Sequence, residues 1–158
     1  MFSVADIQKE LPRWPPPDPL GNHRWNGLLG GRPLSWWKNV TWKKQKIRCE
    51  LDALTPKARA HVTDLVSGMK RGDLDASTKR RIAEPWFYLR NHARFPRALV
   101  TMQKPDGISL IDGTHRMAAF NLIQEMPKAE YDKINKRKAP LKQHVWVGVH
   151  SDGEVPLT

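Results

Sequence analysis

Residues 95–120 read FPRALVTMQKPDGISLIDGTHRMAAF, and this stretch decides the fold. Residues 98–102, Ala-Leu-Val-Thr-Met, have the β-branched and apolar content of a strand. Lys104-Pro105-Asp106-Gly107 is a turn in which proline pre-sets one φ and glycine supplies another. Residues 108–111, Ile-Ser-Leu-Ile, return as a second strand, so the pair reads as a hairpin. Asp112-Gly113-Thr114-His115-Arg116 then leads directly into Met117, Ala118, Ala119, Phe120, Leu122 and Ile123, a helix with an apolar face that stops at Met126-Pro127.

A strand that turns sharply into a helix aims the helix's free N–H groups at whatever lies above the strand end, and the helix dipole adds partial positive charge there. Gly113 lets a phosphate approach the backbone, and Thr114 offers a hydroxyl. His115 and Arg116 sit in the first turn, where a cation costs about 0.3–1 kcal/mol against the dipole. A bound anion reverses that penalty, which makes Gly113, Thr114, His115 and Arg116 a candidate phosphate site. The competing reading is structural: Asp112 or Thr114 caps the helix, His115 is an ordinary hydrogen-bonded histidine, and Arg116 pairs with Asp112 or Glu125.

Outward from the junction, Thr55-Pro56 is an N-cap followed by proline at the first helical position. Ala58, Val62, Leu65, Val66 and Met69 recur at helical spacing until Gly72. A second helix is predicted over 77–84, closed by Pro85, with Trp86, Phe87, Tyr88 and Leu89 following as a core cluster. Residues 38–51 supply one or two strands, and 145–149 a buried strand followed by a turn at Ser151-Asp152-Gly153. Residues 1–37 form a Pro/Trp-rich basic arm with turns at Leu20-Gly21-Asn22 and Gly30-Gly31, and 38–158 the folded domain.

The 158 residues carry 27 Lys and Arg against 16 Asp and Glu, a net charge of +11 that points to a polyanionic partner. The apolar fraction, 39%, is below the roughly 45–50% of an average domain but sufficient for a modest core. No apolar run reaches the ~20 residues of a membrane span, and the first twelve residues lack the apolar centre of a secretory signal. Cys49 is the one cysteine, which excludes a disulfide framework, and no Cys/His spacing suggests structural zinc. The expectation is a cytoplasmic protein without a membrane partner.

The bases cluster. Between residues 13 and 48, Arg13, Arg24, Arg32, Lys38, Lys43, Lys44, Lys46 and Arg48 face a lone acid, Asp18, and share the segment with Trp14, Trp25, Trp36, Trp37 and Trp42. Cations release counterions from a phosphate backbone, and indole faces can stack unpaired bases, a combination suited to single-stranded nucleic acid. The alternative is that these tryptophans pack a small core. Further basic runs lie at 70–97 and 133–142, where solvated helix faces are the ordinary explanation. Arg94 and Arg97, just before the hairpin, are candidates for guiding a DNA backbone toward the junction, with Lys43, Lys44 and Lys46 as further DNA contacts.

The stretch from 95 to 120 resembles the signature of the ParB/sulfiredoxin-like superfamily, in which a hairpin strand runs into Gly-x-x-Arg or Gly-Cys-His-Arg at a helix start. The resemblance extends loosely over 40–150. It implies an α+β fold, a small mixed β-sheet with helices packed on it. It also implies nucleotide or DNA phosphates at Gly113–Arg116, with activities that include ATP or CTP hydrolysis, DNA cleavage and sulfinate reduction. Thr114 stands where the reactive cysteine of sulfiredoxins lies, which argues against reduction. Too few residues follow the junction helix for the helix-turn-helix and dimerisation domains of partitioning ParB proteins. A stand-alone ParB-like domain of the plasmid fertility-inhibition type fits the size and charge.

The function expected is a hydrolase acting on ATP or another nucleoside triphosphate, on DNA, or on both. His115 is the candidate general acid or base, Arg116 the charge neutraliser, and Asp112 the candidate Mg²⁺ ligand. Two alternatives stay open: a non-catalytic binder of nucleic acid or of an acidic protein, and a nucleotide-operated switch.

Overall fold

In the computed structural model the described residues are 39–134 and 136–150. The arm, with Trp14, Trp25, Trp36 and Trp37, and the turn at 151–153 lie outside them. Strand β1 is Val40–Arg48, and a short 3-10 turn covers Leu51–Ala53. Helices α1 and α2 span Pro56–Arg71 and Ala76–His92. The hairpin is β2, Val100–Lys104, and β3, Gly107–Asp112; helix α3 is Thr114–Glu125, α4 is Lys128–Lys133, and β4 is Lys142–His150.

The four strands form one mixed sheet in the order β1-β4-β2-β3. β4 runs antiparallel to β1 and parallel to β2, while β2 and β3 pair antiparallel. The fold is therefore α+β with a small mixed sheet. Helices supply one apolar layer: Val62, Leu65 and Val66 of α1, Ile82 and Leu89 of α2, and Met117, Phe120 and Ile123 of α3 bury against Leu99, Ile108, Val145 and Val147. Val40, Trp42, Val100, Met102 and Trp146 are buried as well. Trp42 alternates with Thr41 and Lys43 along β1 and pairs across with Gly148, whose hydrogen side leaves room for the indole and for Met102. A fully enclosed Trp42 is packing and offers no face to a base.

Local chemistry accounts for the element ends. Thr55 Oγ1 accepts from Ala58 N–H at 3.2 Å, Pro56 opens α1, and Gly72 closes it at φ 75° with its N–H on Gly68 O. Asp75 caps α2 by accepting from Thr78 N–H at 3.1 Å.

Helix α2 corrects the expected stop at Pro85: it continues to His92, with Pro85 buried inside it. Proline there costs the helix one hydrogen bond, and the ring's burial beside Ile82 and Leu89 offsets that loss. The same correction redistributes the aromatic cluster. Leu89 is core, Trp86 and Tyr88 are half-buried, and Phe87 is 54% exposed. Helical periodicity explains this, since four consecutive residues point around the full circumference.

Candidate functional site

The junction is built as a strand passing through one glycine into a helix. Gly113 is the N-cap of α3, at φ 117°, and as a glycine makes no side-chain cap hydrogen bond. Its missing Cβ is required twice over: the φ is left-handed, and a Cβ would strike Leu99 Cδ2 and come within 3.0 Å of Arg116 Nη2. Thr114 is the first helical residue, so neither Asp112 nor Thr114 is the cap.

Arg116 is tied back onto the sheet entrance. Its Nη1 donates to Arg97 O at 3.0 Å and to Ala98 O at 3.3 Å, and its Nη2 lies 3.2 Å from Asp112 Oδ2. The two side chains of this ion pair are only 13% and 15% exposed. The first-turn cation is thus balanced inside the protein, by the residue that ends β3 and by two carbonyls ahead of β2. Glu125, the other carboxylate considered for Arg116, pairs with Lys70.

Over this junction lies a cavity of about 830 Å³, within the range of small-molecule sites. Its floor is Ile111, Asp112, Gly113, Thr114, His115 and Arg116, so the structure brings the whole sequence-predicted junction to one cavity wall. The opposite wall was not foreseen. It comes from α1 and α2, through His61, Arg81, Glu84, Pro85 and Tyr88, with Pro96 and Arg97 from the segment ahead of the hairpin. Arg81, Glu84 and Tyr88 follow at i, i+3 and i+7, a stripe one residue out of phase with the buried stripe Ile82, Pro85 and Leu89. Ending α2 at Pro85 hid this wall, because Tyr88 then falls outside any helix.

Charge in the cavity is unevenly spent. Arg116 is committed to Asp112 and the carbonyls, whereas among the described residues no carboxylate pairs with Arg81 or Arg97. Of the other predicted DNA contacts, Arg94 is exposed and does not line the cavity. Lys43 and Lys46 are exposed on opposite faces of the edge strand β1, and Lys44 is half-buried with Nζ 5.6 Å from the Trp146 ring centre. Lysines on an edge strand also keep it from pairing with another chain. No group of three or more His, Cys, Asp or Glu among the described residues converges on a common point, and Asp112 faces a guanidinium. These residues do not assemble a Mg²⁺ site, and no step through a metal is derived.

Comparison with protein-family models, with curated proteins and with solved structures gave no significant match. No helix among the described residues is long and apolar enough to cross a membrane.

Proposed function

We propose that the cavity over Gly113 binds the phosphates of a nucleotide and that the protein is a ParB/sulfiredoxin-like hydrolase of phosphoanhydride or phosphoester bonds. The observation that carries this reading is the meeting in one cavity of the glycine-capped start of α3 with two arginines, Arg81 and Arg97, that pair with no carboxylate among the described residues. Phosphate oxygens would then accept from backbone N–H groups at the start of α3 and from the two guanidiniums. Arg116 then serves as a positioning residue. By clamping Asp112 and the carbonyls of Arg97 and Ala98 it fixes the glycine turn and, through Arg97, the second wall.

In this reading His115 exchanges the proton, since imidazole is the side chain suited to that task near neutral pH. Water attacks the terminal phosphorus of the triphosphate and an imidazole nitrogen takes the water proton; the bond from that phosphorus to the bridging oxygen breaks, releasing inorganic phosphate and a nucleoside diphosphate whose new charge is met by the guanidiniums. The motif's likeness to the superfamily supports the same assignment, as does the net charge of +11.

The test is equilibrium binding and turnover on the full chain. Arg81→Ala with Arg97→Ala should weaken ATP binding by about 10-fold or more, and His115→Ala should remove phosphate release while leaving binding intact. Undiminished ATP hydrolysis and DNA cleavage in both variants would eliminate the cavity as the active centre. The non-catalytic alternative has its own signature, salt-dependent retention of DNA without nicks or released phosphate.

A further inference from the structure

We propose that Tyr88 is the platform for the base of a bound mononucleotide, so that the ligand is a nucleoside 5′-polyphosphate held between α2 and the junction. This rests on the nucleotide-binding reading above and adds the side chain that receives the base.

Three observations carry it. The cavity holds about 830 Å³, far more than a phosphate chain requires, so a second chemical moiety has room beside the anion. Its lining is mixed in character: the guanidiniums of Arg81 and Arg97 and the start of α3 share it with the apolar surfaces of Pro85, Tyr88, Pro96 and Ile111. Tyr88 is also on the wrong stripe for a core residue. Its neighbours Ile82, Pro85 and Leu89 bury their side chains, whereas Tyr88 sits on the stripe of Arg81 and Glu84 and is half-buried against the cavity.

The ring is held in place from one side. His92, one turn further along α2, lies against it with ring centres 4.2 Å apart and planes tilted by 34°. An aromatic ring braced by a second ring offers an oriented face, and base–aromatic stacking is the interaction it suits. Arg81 stands two turns earlier on the same stripe, roughly 10 Å along the axis. A ligand with a polyanionic tail and a flat aromatic head spans that arrangement.

Titration of the full chain with ATP, with inorganic tripolyphosphate and with ribose 5-triphosphate separates the two claims. ATP should bind about 10-fold or more tightly than either baseless ligand. Tyr88→Ala should abolish that advantage while leaving tripolyphosphate affinity unchanged, and Tyr88→Phe should restore it. Arg81→Ala should weaken all three ligands together.

Equal affinity of the wild-type chain for ATP and tripolyphosphate overturns the base platform but leaves the phosphate site standing. So does a Tyr88→Ala variant that binds ATP normally or loses all ligands alike. Failure of the wild-type chain to bind any of the three overturns the phosphate site itself. Tighter binding of a single-stranded oligonucleotide than of ATP, sensitive to Tyr88→Ala, would overturn the mononucleotide assignment. The wild-type comparison needs no variant to fold.

Discussion

Arg116 shows how one side chain can look like a ligand in the sequence and act as a brace in the fold. Its guanidinium holds Asp112 and two carbonyls while nearly buried. Replacing it leaves a carboxylate with little access to water, so Arg116→Met should cost about 2–4 kcal/mol in denaturant unfolding. Arg116→Lys should recover only part of this, because a point charge cannot reach three acceptors in a plane. Cys49 gives a second prediction at this scale. Burial pushes its thiol up from an ordinary value of 9.0 to about 12, with a backbone hydrogen bond from Gln143 opposing. The unfolded chain therefore loses the proton first, and stability falls as pH climbs from about 9 towards 12. Unfolding midpoints at pH 8 and 10.5 should drop more in the wild-type chain than in Cys49→Ala, which isolates the thiol from the titrating lysines. Below pH 9, thiol reagents should label Cys49 at the rate of protein opening and no faster.

At the scale of elements, the ends of α1 and the turn of the hairpin were legible, and the end of α2 was not. Thr55-Pro56 and Gly72 bounded α1 from chemistry alone, because a hydroxyl acceptor, a fixed φ and a left-handed glycine each have one local use. Thr55→Ala should cost about 1 kcal/mol, readable as a fall of about 2–4 °C in Tm. The hairpin was legible for the same reason: Pro105, Asp106 and Gly107 dictate a turn whatever surrounds it. Gly107 carries an added duty, since a Cβ there would meet the Leu54 backbone at 2.8 Å. Pro85 misled because its local rule is real but its ring sits in the core, and no neighbour in sequence reveals that burial. The candidate site divides the same way. The Gly113 turn is local and was readable, whereas Arg81 and Tyr88 reach it only through packing of α2 on α3.

For the whole molecule, the decisive fact is the position of β4 between β1 and β2. Val145 and Val147 are buried in the middle of the sheet, while Val149 on the same strand is 52% exposed. Val147→Asp should abolish cooperative thermal unfolding, because it buries an unpaired charge where three elements meet. Val149→Asp should change Tm by no more than a degree or two. Order of strands was not in reach of the sequence, since residues 142–150 carry no mark of the neighbours they will choose.

Translation delivers β1 first among these strands and β4 last. On the ribosome β1 therefore waits as a lone ribbon while the helices and the hairpin gather, and its lysines guard it against pairing with a neighbouring nascent copy. Closure of the sheet is then a single late event.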